Sequence, residues 1–220
     1  MGGNVLMKNV LLIGLGRFGR YTAKKLNELG HDVMAVEKDE GKINKVIHDV
    51  TNARIGDATS KEFLETLGVR DFDLCIVAVG DAFLEALEIS SLLKEMGAKK
   101  VISRATSATM EKFLLRNGAD AVVFPERQLA NWTAIRYSSD NIENYIEVSD
   151  GYAIYEVKVP PQWDRKRIDE VDVRKRYGIS ILGIRNGKMV MNPLYDTVLR
   201  KEDSMLVLGK YEELHKIFRL

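Results

Sequence analysis

Gly14-Leu15-Gly16-Arg17-Phe18-Gly19 sets three glycines at the spacing G-x-G-x-x-G. That spacing suits phosphate binding by backbone alone. The first glycine permits a tight turn, the second lets a pyrophosphate approach the main chain, and the third lets a helix pack closely on a strand. Free N–H groups and the positive end of the following helix then face the anion. Glu37 lies eighteen positions after Gly19, where a carboxylate can accept from both ribose hydroxyls and repel a 2′-phosphate. The alternative is a glycine turn without a ligand. Arg17 adds a full positive charge inside the loop. A guanidinium is better matched to a terminal polyphosphate than to a dinucleotide's two phosphate charges, which tilts the expected ligand toward ATP or ADP and leaves NAD open. A solvated surface arginine is the competing reading.

Three further positions fall where a nucleotide of this kind would lie. Gly56-Asp57-Ala58-Thr59 follows a third strand candidate at the edge expected to hold the base, and Asp57 could accept from an adenine amino group or cap the next helix. Gly80 follows the fourth strand candidate and permits close approach of backbone to ligand. Arg104 ends the fifth and is balanced between a phosphate and a neighbouring carboxylate. A reaction centre does not emerge. His31, His48 and His215 have no spacing that suggests a metal or an acid–base pair, and Cys75 lies inside an apolar run. There is no nucleophile elbow, Walker loop or paired carboxylate motif. A nucleotide site without such a centre points to sensing rather than catalysis.

These residues need a scaffold, and the apolar pattern supplies one. Val10-Leu11-Leu12-Ile13, Val33-Met34-Ala35-Val36, Ala53-Arg54-Ile55, Leu74 to Val79, Val101-Ile102 and Ala121 to Phe124 read as six short strands. Helical patterns separate them, including one through Ile43, Val46, Ile47 and Val50, and Gly30 stops the first. Alternation of this kind predicts right-handed crossovers, a Rossmann-like parallel sheet and helices on both faces. Beyond Pro125 the rhythm changes. Glu126 to Tyr137 reads as one helix, and Ser138-Ser139-Asp140-Asn141 as a linker. Ala153, Tyr155, Val157 and Val159 alternate with Glu156 and Lys158 as in a half-exposed strand. A short helix spans Ile168 to Tyr177, Asn186-Gly187 turns a hairpin, and Met205 to Leu208 forms a last strand before a closing helix. The predicted division is a nucleotide-binding domain at 1–125, a helix and linker at 126–142, which the resemblance named below makes a crossover helix, and a small α+β lobe at 143–220. That last piece has a thin core, so pairing with another copy is plausible.

Composition sets the outer bounds. The chain has 220 residues, 33 Lys and Arg against 32 Asp and Glu, and one cysteine. A net charge of +1 argues against nucleic-acid binding or a polybasic membrane anchor, and one cysteine excludes an internal disulfide framework. No run of eighteen apolar residues occurs, and Met1 to Met7 lack the features of a signal peptide, which predicts a cytoplasmic protein.

Taken in order, the glycine loop with Arg17, Glu37, Gly56-Asp57-Ala58-Thr59 and Phe124-Pro125-Glu126 resemble the KtrA/TrkA-type regulatory subunits of bacterial potassium uptake systems, built from an RCK domain. The resemblance covers Lys8 to Leu220, and its most specific element is the loop arginine followed by Phe18-Gly19. It implies a cytosolic protein without enzymatic activity, forming homodimers that assemble into an octameric ring beneath a membrane potassium translocator. It also implies that ATP or ADP in the N-terminal lobe gates transport. Arg17 would contact the terminal phosphates, Glu37 the ribose, and Asp57 with Ala58 the adenine. Glu126 matches a glutamate that helps bind a divalent cation, magnesium or calcium, near the phosphates; a first-turn carboxylate complementing its helix is the alternative. In some relatives the C-terminal lobe binds cyclic di-AMP, and Asn192-Pro193 falls in the matching region. An NAD-dependent oxidoreductase or NAD(H) redox sensor explains the glycine turn and Glu37 equally well, but leaves Arg17 and the small C-terminal lobe without a role.

Overall fold

The computed structural model describes residues 7–218. Of the segment from Met1 to Met7 read for signal-peptide features, Met1 to Leu6 lie outside the described residues. The chain divides into two compact units between Glu126 and Arg127.

The first unit runs β1 (Asn9–Ile13), α1 (Arg17–Glu28), β2 (Asp32–Glu37), α2 (Glu40–Ile43), β3 (Asn52–Ile55), α3 (Lys61–Glu65), β4 (Leu74–Val77), α4 (Phe83–Glu95), β5 (Val101–Arg104), α5 (Ala108–Arg116) and β6 (Ala121–Val123). All strand pairs are parallel, in the order β3-β2-β1-β4-β5-β6. The chain builds outward from β1 to β3 and then returns to the other side of β1. The crevice between β1 and β4 is therefore a topological switch point, where the loops after the strands diverge and leave room for a ligand. Strand β1 shows why helices must cover both faces. Val10 and Leu12 pack with Val33, Ala35 and Ile76 on one side, while Leu11 and Ile13 pack with Cys75, Val77, Leu93 and Leu114 on the other.

Two local expectations for this unit change. The segment from Ile43 to Val50 is helical only to Ile43. Val46 and Asp49 then donate to Ile43 and Val46 three residues back, at 2.9 and 2.7 Å, in tighter turns that keep Ile43 and Val46 buried. Asp57 does not cap α3; that cap is Ser60, whose hydroxyl accepts from the Phe63 amide at 3.2 Å.

Helix α6 (Pro125–Tyr137) begins one residue before the expected Glu126, with proline in the first turn where its missing N–H is no loss. The second unit continues with β7 (Ile142–Ser149), β8 (Tyr152–Lys158), α7 (Ile168–Val171), α8 (Val173–Tyr177), β9 (Ser180–Asn186), β10 (Lys188–Met191), β11 (Ser204–Lys210) and α9 (Tyr211–Phe218). Its antiparallel sheet has the order β10-β9-β11-β8-β7. Tyr155, Val157, Ile179, Leu199, Met205, Val207 and Leu214 form a fully buried core, and Trp163 packs tilted against Tyr177 and edge-on to Phe218, with centroids 5.7 Å away in each case. The hairpin falls as expected, with Asn186 opposite Lys188 and Gly187 at φ +71°.

Three readings of this unit are corrected. Strand β7 was not expected; only Ile142 and Tyr145 of its eight residues are buried, so this edge strand carries no alternation. The single helix from Ile168 to Tyr177 is two, broken where Asp172 adopts φ +50°. Glu156, placed on the solvent face, is 8% exposed and accepts from Arg185 Nε at 2.5 Å.

Candidate functional site

The glycine turn links β1 to α1 at the carboxyl edge of the parallel sheet. Gly14 has φ +94°, and a side chain there would press on the Ala78 and Val79 backbone at 3.2 Å. Gly19 is buried in the first turns of α1, and a Cβ there would overlap the Gly14 carbonyl. Gly16 is different. It caps α1 with φ −62°, and a Cβ would meet nothing within 4 Å. The two outer glycines therefore serve packing, while the middle one borders open space at the helix's positive end. Arg20 Nη1 donates to the Leu15 carbonyl at 3.1 Å and braces the loop from within α1.

Glu37 ends β2 with its side chain only 10% exposed. Its Oε2 accepts from the Leu15 amide at 2.8 Å, and its Oε1 accepts from Lys38 N at 2.9 Å and Asp39 N at 3.3 Å. Lys42 Nζ lies 3.5 Å from Oε1. Oε2 accepts one bond only, so its second lone pair can still take a ribose hydroxyl. Asp57 is exposed and accepts from the Thr59 amide at 2.9 Å and hydroxyl at 2.7 Å. These bonds, followed by Lys38, hold its carboxyl below the usual range. Ala58 behind it is buried. Lys38, which the sequence pattern did not single out, bridges Glu85 at 3.1 Å and Asp57 at 3.2 Å and thereby ties the loops after β2 and β3 to the first turn of α4. Its position directly after Glu37 at a strand's carboxyl end was the available signal.

Gly80, Arg104, Phe18 and Glu126 form the other half. Arg104 ends β5 with its side chain 14% exposed. The guanidinium lies against Gly80, where any side chain would overlap it, and its Cζ sits 5.9 Å from the Phe18 ring centroid. Nη2 donates to Glu126 Oε1 at 2.5 Å, and Nε is buried without a hydrogen-bond partner among the described residues. Thr106 Oγ1 donates to the Gly80 carbonyl at 3.3 Å. The carboxyl of Glu126 is held below its usual range first by its own backbone N–H, then by Arg104, with the charge of Arg17 adding to both. Arg17 itself is exposed at the start of α1.

The remaining candidates lie apart. Cys75 is buried in β4, and desolvation pushes its thiol up to about 12. His31 Nδ1 is 3.3 Å from the Lys8 amide, and His215 Nε2 is 3.3 Å from the Tyr155 hydroxyl. The described residues contain no group of three or more His, Cys, Asp or Glu able to hold a metal, so a cation at Glu126 would need oxygens from a ligand or another chain. In the second unit a cavity of about 630 Å³ is lined by Asn131, Tyr145, Glu147, Tyr152, Lys210 and Tyr211 among others. Asn192, at φ +53° after β10, is not among its lining residues. No described helix is long and apolar enough to cross a membrane.

Comparison with known proteins covers both units. The TrkA-N domain model matches residues 10–125 and the TrkA-C domain model matches residues 152–220. The Ktr system potassium uptake protein C of Bacillus subtilis (strain 168) is 34% identical over 212 residues, covering 96% of each chain. Among solved structures, the GsuK RCK domain superposes with a TM-score of 0.69 at 20% identity, over 99% of this chain and 48% of that one. The GsuK channel bound to NAD gives 0.68 at 20% identity, over 96% of this chain and 39% of that one. At that identity the likeness shows the fold, and this chain spans less than half the length of those longer ones.

Proposed function

The chain belongs to the TrkA/Ktr family of potassium-uptake proteins, and we propose that it is the nucleotide-sensing regulatory subunit of such a system, binding ATP or ADP at the glycine turn and gating a membrane potassium translocator. The observation that carries the nucleotide reading is convergence. Gly16, Arg17, Glu37, Arg104 and Glu126 meet the carboxyl edge of one sheet around its switch point, with open space at Gly16 and a buried guanidinium N–H still lacking an acceptor. The transport reading rests on a relative matched over nearly its whole length.

The subunit works by conformation and not by catalysis. Its N-terminal domain is residues 1–125, its crossover segment 126–142 and its regulatory lobe 143–220. It is cytoplasmic, dimeric, and assembled as an octameric ring against its membrane partner. Glu37 takes the ribose hydroxyls, while Asp57 and Ala58 border the adenine. ATP and ADP share those contacts, so only groups near the terminal phosphate can favour one over the other. Equal affinity for both ring conformations would shift nothing. Arg17, Arg104 and a divalent cation held by Glu126 are those groups. The Asn192-Pro193 segment is the place to test for cyclic di-AMP.

The alternative reading is an NAD(H) sensor, favoured by the Glu37 carboxylate at a ribose position and by the NAD-bound channel that shares this fold. Calorimetric titration of the purified protein with ATP, ADP and NAD, with and without magnesium, decides between them. Tightest binding of ATP, strengthened by the cation, supports the regulatory reading given first. Binding of NAD alone transfers the site to the second.

A further inference from the structure

We propose that Arg104 is the side chain that receives the nucleotide's phosphate, and that Glu126 occupies it in the empty protein as an internal competitor. This rests on the nucleotide reading above and adds a regulatory contact to the same site.

Arg104 has a buried donor that no acceptor meets among the described residues. A guanidinium presents five N–H donors in a planar fork matched to two acceptors side by side. Here the fork is nearly buried, yet Glu126 takes only Nη2, through one oxygen, and Nε is left buried with no acceptor among the described residues. Leaving a buried N–H unpaired is costly, and native structures seldom tolerate it without a functional reason. A phosphate has oxygens enough to engage Nε and a terminal nitrogen together, which a single Glu126 oxygen does not.

The surroundings keep the fork in place for that exchange. The fork lies against Gly80, where a Cβ would stand 2.3 Å from Nη1, and Phe18 of the glycine turn lies over it. The group that would leave is the exposed one. Glu126 is 56% exposed and stands at the first turn of α6, whereas Arg104 is 14% exposed. Glu126 is a carboxylate in contact with the Arg104 guanidinium and carries its ordinary negative charge at neutral pH. A phosphate must therefore displace one negative charge from Arg104 and then sit beside it. That repulsion weakens nucleotide binding until a divalent cation neutralises the released carboxylate. The same contact makes the site respond to nucleotide and cation jointly.

The test is titration of the full chain with ATP and with adenosine in EDTA, comparing wild type with Glu126→Gln and Arg104→Lys. Removing the competitor's charge is expected to tighten cation-free ATP binding about tenfold in Glu126→Gln and leave adenosine unchanged. Arg104→Lys, which keeps the charge and loses the fork, is expected to weaken ATP about tenfold, again without moving adenosine. Thermal melts of each variant verify that the protein remains folded. If Arg104→Lys does not fold, the exposed Glu126→Gln variant carries the test alone. Wild type that binds ATP while Glu126→Gln binds it equally or more weakly in EDTA overturns the competitor. Parallel shifts in ATP and adenosine also overturn it, since they mark a change of shape. Wild type that binds no nucleotide overturns the proposed function itself.

Discussion

The Leu15 amide donates to Glu37 Oε2 at 2.8 Å, so the residue expected to hold a ribose also fixes the glycine turn. Both oxygens of Glu37 accept from backbone N–H groups, and an amide has only one oxygen to offer. Glu37→Gln must turn its NH₂ toward one of those donors. We expect a loss of about 1–3 kcal/mol in stability from the unpaired N–H, together with weaker binding of every nucleotide tested. A denaturant melt and a titration measure the two effects. Unchanged stability would show that the contact does not brace the loop.

The glycines of the turn separate space for packing from space for a ligand. Gly19→Ala places a methyl into the Gly14 carbonyl and should destabilise the protein by about 1–3 kcal/mol. Gly16→Ala meets nothing within 4 Å at an ordinary φ, so its melting temperature should stay near wild type while nucleotide affinity falls. Equal behaviour of the two variants in both assays would refute the distinction.

Arg17 is exposed at the positive end of α1, free to reach a terminal phosphate. Arg17→Ala should weaken ATP about tenfold or more and ADP much less. Glu126→Gln should abolish the effect of magnesium on ATP affinity. Equal losses for the two nucleotides, or a persisting magnesium effect, would remove these residues from the terminal-phosphate site.

Asp120 gives a pH signature outside the site. It accepts from Lys94 Nζ at 2.5 Å and from the Val101 amide at 2.7 Å, which together hold its carboxyl below the usual range. A depressed folded pKa contributes stability that is complete above the unfolded value of about 3.9 and disappears as pH falls through the folded one. Asp120→Asn should cost about 1 kcal/mol at pH 7, with the gap to wild type closing as pH drops below about 4. A constant gap down to pH 2 would contradict the assignment.

Cys75 should be inert in the folded protein. It is fully buried in β4, and its thiol is pushed up to about 12 by loss of solvent. A thiol reagent at pH 8 should label it only after denaturation. Rapid native labelling would mean that the sheet opens at β4.

The glycine turn was legible in the sequence because its backbone demands a residue type: φ +94° at Gly14 and the Gly19 contact each exclude side chains. Strands β1 and β4 were legible for a similar reason, since burial on both faces leaves unbroken apolar runs. The partnership of Arg104 with Glu126 was not. The two stand 22 residues apart, and only the adjacency of β5 and β6 brings their ends together. Glu156 misled because a charged residue between apolar neighbours reads as solvent-facing, and its cation, Arg185, comes from β9, on the far side of β11. Strand β7 left no pattern, because an edge with two buried residues needs none.

Each compact unit is one uninterrupted stretch of chain, and the division falls between Glu126 and Arg127. Domains fold as they leave the ribosome, at roughly 5–20 residues per second. The 94 residues from Arg127 to Leu220 therefore take roughly 5–20 seconds to make. During that interval the glycine turn, Glu37, Arg104 and Glu126 already belong to a unit whose six strands are all synthesised. Any molecule that binds this half favours its folded form by mass action. The nucleotide pool of the cell would then act on the nascent chain as a folding ligand before the regulatory half exists.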